Sequence, residues 1–367
     1  MKIKIIEPIG QSEAAIRSRL SDLLEAGGHR LFICDTRGMT DAELMKNVSD
    51  ADILLLSNRP LSREVIEACP KLKLICVALT GIDHVDQVAC KARGIMLHNA
   101  AGYAVHAVSE LAIGLMIALL RRIVSADAAI RAGGSNRDLV GHELFGKTLG
   151  VIGCGHIGLQ VARLANAFGC HVLGFEHHAH RLDGVAIEPV ELDELLRRSD
   201  IVSLHLPLTT ETRGFIGREQ LARMKGSAIL INTARGPVVD QSALIEALDQ
   251  NRLAGAGLDV FDLEPPLPAD HPILRAPNTV LVPHIGFETF EAMSAKADIA
   301  LRHLEDFLSG RGPVVIRRKA TDKPLTHRNW LAMREGQEDC RAALNRGPRP
   351  FTVLKSWTGS RFTTFNS

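Results

Sequence analysis

The chain has 367 residues, 46% of them hydrophobic and 23% charged, with a formal net charge of +1. That length exceeds one typical domain, so two are expected. The near-balanced charge argues against nucleic acid or an anionic membrane as the main partner, and the most apolar stretch, 111–120, is too short to span a bilayer. Seven cysteines, at 34, 69, 76, 90, 154, 170 and 340, are odd in number, scattered and without a CxxC pair. They read as reduced thiols of a cytoplasmic protein, not a disulfide frame or a zinc site. Met1-Lys-Ile-Lys leads straight into a strand, which does not read as a signal peptide.

From residue 2 to 98, strands and helices alternate. Strands are expected at Ile3–Ile6, Arg30–Cys34, Asp52–Ser57, Leu72–Ala78 and Ile95–His98, with helices at Glu13–Ala26, Asp41–Val48, Ser62–Ala68 and Val85–Arg93. Such alternation implies a parallel sheet covered by helices on both faces. No glycine-rich phosphate loop occurs here. The loops after strands, Asn58-Arg59-Pro60 and Leu79-Thr80-Gly81-Ile82-Asp83, are where a small ligand would sit. One long helix, apolar nearly all round, is expected from Val105 to Ile123, followed by a polar stretch from Gly133 to Glu143.

Residues 149–176, LGVIGCGHIGLQVARLANAFGCHVLGFE, organise the rest of the chain. Leu149–Ile152 suit a buried parallel strand, and Leu159–Phe168 space their apolar residues for a helix that Gly169 stops. Val172–Phe175 form a second strand ending at Glu176. Strand, glycine turn, helix, strand and acid is the order of a dinucleotide-binding βαβ unit. Gly153 permits the tight turn, Gly155 lets the backbone approach a pyrophosphate, and Gly158 lets the helix sit close on the sheet. The helix start offers free N–H groups and a positive dipole end. Glu176, 23 positions after Gly153, stands where a ribose-binding acid belongs.

Further strands are expected at Ile201–His205, Ala228–Asn232, Gly255–Asp259 and Thr279–Val282, and a helix at Glu288–Leu308 that returns to the first half. Three of these strands are followed by polar groups: Arg235, then Asp259 and Glu264, then His284. The carboxyl ends of parallel strands share one edge beside the nucleotide crevice, so these four can converge. An arginine holds a carboxylate or polarises a carbonyl. A histidine passes a proton near neutral pH, and a carboxylate orients it. Taken alone, each is as well explained as a surface cation, a turn residue or a structural histidine; together they suit reduction of a ketone. The run His177-His178-Ala179-His180 has no acid or cysteine set with it, and no metal is expected. From Ile316 onward the chain carries 11 Lys+Arg against 4 Asp+Glu, with irregular hydrophobic spacing. This tail, 316–367, reads as poorly packed, with a basic docking arm as the alternative.

The motifs GCGHIG, HLPLTTETRGFI, ILINTARGPVVD, GAGLDVFDLEPP and VPHIG follow one another in the order found in the D-isomer-specific 2-hydroxyacid dehydrogenases, a family that includes phosphoglycerate dehydrogenases and hydroxypyruvate reductases. NAAGYAVHAVSELAIGLMIALLRR resembles that family's linker helix. The resemblance covers about residues 40–315. It implies an α/β fold of two doubly wound parallel-sheet domains, with a Rossmann nucleotide domain (99–284) inserted into a flavodoxin-like substrate domain (1–98 and 285–315). It implies NAD as cofactor, a small D-2-hydroxy or 2-oxo acid as substrate, and a homodimer. It assigns Arg235 to the substrate, Glu264 to pairing with His284, and His284 to acid–base work. Toward the cofactor it places Gly153, Gly155, His156, Ile157, Gly158, Glu176, Leu206, Pro207, Thr212, Thr233, Ala234, Asp259 and Gly286. Toward the substrate it adds Arg59, Leu79, Thr80 and Gly81. The chain departs from the family at Leu79-Thr80-Gly81, where Gly-x-Gly is common, and at Phe287-Glu288, where small residues are common. A formate- or phosphite-oxidising relative is a second reading, though the formate type resembles a version with Gln at position 264. A nucleotide-sensing scaffold like the corepressors of this superfamily is a third.

Overall fold

A computed structural model describes residues 1–176 and 185–311. The tail from 316 and the histidines at 177, 178 and 180 lie outside the described residues. The first five strands are β1 (Lys2–Ile5), β2 (Arg30–Ile33), β3 (Ile53–Leu56), β4 (Leu74–Val77) and β5 (Met96–Asn99). Between them run α1 (Glu13–Ala26), α2 (Asp41–Val48), α3 (Arg63–Glu67) and α4 (Gln87–Ala92). The strands pair in parallel in the order β2-β1-β3-β4-β5, the flavodoxin-like arrangement. Local signals set the helix starts. Ser12, Thr40, Ser62 and Asp86 each cap a helix through the side chain, and Thr40 with Glu43 completes a capping box.

The connection to the second sheet differs from the sequence expectation. Helix α5 (Val105–Leu120) stops short of Ile123, because Arg122 adopts a left-handed backbone with φ 52°. A new helix, α6 (Ile123–Arg131), starts at the next residue. Composition gave no warning, since neither glycine nor proline marks the break. Ala112, Ile113, Leu115 and Met116 of α5 pack into the core of the second sheet.

The second sheet comprises β6 (Thr148–Ile152), β7 (His171–Phe175), β8 (Glu188–Pro189), β9 (Ile201–Leu204), β10 (Ile229–Asn232), β11 (Gly255–Leu258) and β12 (Thr279–Leu281). Helices α7 (His156–Ala167), α8 (Leu192–Arg198), α9 (Arg218–Arg223) and α10 (Gln241–Asp249) connect them. All pairs are parallel, in the order β12-β11-β10-β9-β6-β7-β8. This is the Rossmann order with one further strand beyond its sixth, and it reverses direction between β6 and β9, where such folds bind nucleotides. Finally α11 (Phe290–Leu308), capped by Thr289, crosses back. Its Ala297, Ala300, Leu301 and Leu304 fill the core of the first sheet beside Ile3, Ile5 and Leu74. No helix among the described residues is long and apolar enough to cross a membrane.

Candidate active site

Nucleotide-side geometry starts at the β6–α7 turn. Gly153 has φ +95°, and a Cβ there would lie 2.7 Å from the His205 carbonyl oxygen. A Cβ on Gly158 would collide with the Gly153 carbonyl, so the helix lies directly on the turn. Gly155, the N-cap of α7, is different: a Cβ there would meet nothing within 4 Å. Its small size leaves room for something outside the chain, at the positive end of a twelve-residue helix. Leu206 is buried, and Thr212 Oγ1 donates to the Pro207 carbonyl at 2.6 Å while accepting from Thr209 N–H at 2.7 Å, which fixes the loop after β9. Across the crevice, after β10, Thr233 Oγ1 is buried without a hydrogen-bond partner among the described residues. A buried hydroxyl without a partner is costly, and a bound polar ligand relieves it. The open glycine, the helix end and the orphan hydroxyl all fit a dinucleotide.

The catalytic candidates follow β10, β11 and β12, three neighbours in the sheet. His284 Nδ1 and Glu264 Oε2 are 2.8 Å apart although 20 residues separate them. This hydrogen bond holds the Glu264 carboxyl below its ordinary range against the opposing effect of burial. With Nδ1 engaged by Glu264, the opposite ring nitrogen is left to face a reactant. His284 itself has φ 58°, a left-handed conformation in a turn whose N–H donates to the Val282 carbonyl.

Asp259 explains how that turn is held. It is 1% exposed, and its two oxygens accept the N–H groups of Ile285 at 2.7 Å and Gly286 at 2.9 Å. Burial pushes its carboxyl up, and those two backbone donors pull it down. A Cβ on Gly286 would stand 2.7 Å from Asp259 Oδ2, so only glycine lets the two approach. In this geometry Asp259 works as a brace for the His284 turn.

Arg235 reaches across to the first sheet. Its guanidinium lies against Gly81, where any Cβ would collide with Nη2, and is 3.6 Å from Asp83 Oδ1. Asn232 supports it from below, accepting from Ala234 N–H and donating to the Arg235 carbonyl. Gly81 is therefore required by close approach, and the loop 79–81 does meet Arg235, as its place after β4 allows. Asn99 fixes the same loop by donating to the Thr80 carbonyl at 2.6 Å. Arg59 is not brought into this group: its guanidinium donates to Asp41 at 2.9 Å, and no contact among the described residues joins it to Arg235 or His284.

Sequence reasoning passed over two neighbours of the site. Asp83 was part of the named loop but was not singled out. Tyr103, the only tyrosine in the chain, sits just before α5. Its ring meets Phe287 edge-on at 6.5 Å, and the Arg235 charge acts on its hydroxyl, which burial pushes above its ordinary range. The Phe287 ring in turn meets the His284 ring edge-on at 5.5 Å. Of the described cysteines none is in a disulfide. Cys154, beside the phosphate turn, has its thiol pushed up to about 12 by burial and is therefore an inert packing group. No cluster of three or more His, Cys, Asp or Glu among the described residues is arranged to hold a metal.

Comparison with known proteins places the chain in a family. Residues 113–286 match the model of the D-isomer specific 2-hydroxyacid dehydrogenase NAD binding domain. A glyoxylate reductase of Thermofilum pendens is 43% identical over 281 residues, covering 74% of this chain and 82% of its own length. A D-3-phosphoglycerate dehydrogenase of Methanocaldococcus jannaschii is 39% identical over 313 residues, 84% of this chain but only 55% of that longer protein. The crystal structure of D-lactate dehydrogenase from Aquifex aeolicus, complexed with NAD and lactic acid, superposes with a TM-score of 0.73 at 28% identity, covering 85% of this chain and 96% of the other. The chain belongs to the D-isomer-specific 2-hydroxyacid dehydrogenase family. It is an NAD-dependent oxidoreductase of 2-hydroxy acids.

Proposed function

We propose that the chain reduces a small 2-oxo acid of the glyoxylate or hydroxypyruvate class to the D-2-hydroxy acid, with Arg235, Glu264 and His284 as its working residues. The observation that carries this reading is the 2.8 Å Glu264–His284 pair standing beside an arginine pressed against a glycine loop. Arg235 grips the substrate carboxylate with its planar fork, over Gly81. His284, held in one tautomer by Glu264, donates its proton to the ketone oxygen, and Glu264 carries the compensating negative charge. Gly153, Gly155 and Thr233 would hold NADH, which would supply the hydride when bound. Asp259 keeps the His284 turn in place. Steady-state kcat/KM for glyoxylate, hydroxypyruvate, pyruvate and larger 2-oxo acids with NADH tests this directly; turnover of none of them would refute it.

The same reading divides the described chain into a substrate domain, 1–98 with the helix from 285, and a nucleotide domain, 99–284. It also favours a homodimer. Helix α6 buries none of its residues, and Ile123, Val124 and Ile130 on it, with Val140, Phe145 and Phe168 nearby in the chain, are exposed. A second copy laid over α6 would cover its exposed Ile123, Val124 and Ile130. A cytoplasmic location suits the unpaired cysteines.

The Glu264–His284 pair has a pH signature. Glu264 must be ionised to orient the ring, and its carboxyl is lowered by the hydrogen bond to His284. A lowered carboxyl keeps its charge as pH falls through the ordinary glutamate range and loses it only below that range. The rate of hydroxypyruvate reduction is therefore expected to show no acid-side decline above about pH 4.5. Glu264→Gln should lower the rate by about tenfold or more wherever Glu264 is ionised, that is above about pH 4.5. A wild-type acid limb centred above about pH 5 would contradict the pairing.

Glu176 immediately follows β7, where its acceptor-only carboxylate can take hydrogen bonds from ribose hydroxyls. A 2′-phosphate would set negative charge against negative charge, worth about 4 kcal/mol at 4 Å and an effective dielectric near 20. Solvent at this rim reduces that, so NADH is expected to be preferred over NADPH by roughly 10- to 1,000-fold, or about 1.4–4 kcal/mol. Glu176→Ala should erase most of the preference. Equal wild-type kcat/KM for the two cofactors would refute this role.

A further inference from the structure

Helix α11 contains a lysine where its pattern calls for an apolar residue. Ala292, Lys296, Ala300 and Leu304 recur every fourth position on the buried stripe of the helix. Lys296 is 3% exposed, yet no hydrogen bond or ion pair among the described residues engages its ammonium. What it does meet is the Phe287 ring, with Nζ 5.6 Å from the centroid. Phe287 is the residue whose edge meets the His284 ring at 5.5 Å. Side chains on a helix lean toward its N-terminus, so Lys296 leans back toward the His284 turn from which α11 starts.

The charges of Glu7 and Glu288 act on it, but neither carboxylate is in ion-pair contact with it. Glu7 Oε2 accepts the N–H groups of Ser57, Asn58 and Arg59, each at 2.8 Å, which holds that carboxylate on the loop after β3. Glu288 is exposed. A largely buried lysine without an ion-pair contact is uncommon, since lysine is seldom so buried unless paired. Burial accordingly lowers its pKa, the two acids opposing that only in part. An anion arriving beside Phe287 would supply the missing partner.

We propose that Lys296 is a specificity-determining residue, whose ammonium receives a second anionic group, carboxylate or phosphate, at the far end of a 2-oxo acid held by Arg235. This rests on the function proposed above and narrows its substrate class. The aromatic wall of Phe287 and Tyr103 then lines the space between the reacting ketone and the distal charge. Neutral 2-oxo acids fit the same reacting centre but leave the lysine unpaired.

The test compares matched substrates in wild type and Lys296→Met, with NADH. One pair is 2-oxoglutarate against 2-oxopentanoate; the other is phosphohydroxypyruvate against hydroxypyruvate. In wild type, the charged member of at least one pair is expected to have the higher kcat/KM by about tenfold or more, and Lys296→Met is expected to remove that ratio. The responding pair tells a distal carboxylate from a distal phosphate. Should Lys296→Met fail to fold, Lys296→Gln is read by the same ratio. A wild type with no charged preference in either pair, or a variant whose charged-to-neutral ratio stays within about twofold of wild type, overturns the assignment. Hydroxypyruvate reduction by the wild type separates the two levels. Its presence with equal ratios removes only the Lys296 role, and its absence together with every other 2-oxo acid removes the reading beneath it.

Discussion

His284→Asn is expected to lower kcat for 2-oxo acid reduction by about 10²- to 10⁴-fold, the usual contribution of a positioned acid–base group. Asparagine is the right probe because position 284 has φ 58°, a left-handed conformation that asparagine tolerates better than most residues. The turn should survive, since Asp259 grips the backbone of Ile285 and Gly286, not the imidazole. Substrate KM and NADH affinity should therefore change little. That split, a collapsed kcat with near-normal binding, is what loss of a group acting only in the transition state produces. A variant within about threefold of wild-type kcat would show that the proton comes from elsewhere.

Arg235→Lys carries the second large expectation, a loss of roughly 2–4 kcal/mol in kcat/KM, about 30- to 1,000-fold. The guanidinium is planar and lies against Gly81, with Asp83 3.6 Å to one side. A lysine ammonium is a point charge on a flexible stem and cannot reproduce two parallel donors to a carboxylate. Cofactor binding should change little, because the guanidinium is turned to Gly81 and Asp83 and makes no bond to Thr233 Oγ1. Near-normal kcat/KM in Arg235→Lys would rule out the substrate role.

The sequence carried the architecture because it is written in local patterns. Short apolar runs such as Leu149–Ile152 and capped amphipathic helices such as Glu13–Ala26 are decided within a few residues. The strand-end positions of Arg235, Glu264 and His284 were legible for the same reason, since parallel strands put their carboxyl ends on one edge. What was hidden depended on tertiary approach. Nothing near Gly81 announces that a guanidinium 154 residues later will press on it. Family resemblance assigns Asp259 to the cofactor; its bonds to the 285–286 backbone are a further feature that exists only once β11 and β12 are paired. The break at Arg122 also escaped, because the apolar run continues through it into Ile123 and Val124. Lys296 was legible in principle: its register with Ala292, Ala300 and Leu304 marks it as buried, whereas a lysine in a helix is ordinarily taken as surface.

The central claim, an enzyme turning over a 2-oxo acid and not a scaffold that only senses nucleotide, is tested most directly by mixing the protein with NADH and hydroxypyruvate and following both NADH absorbance and the chirality of the product. Disappearance of NADH with equimolar formation of D-glycerate is predicted. NADH that binds but persists, or a product of the L configuration, would contradict the account.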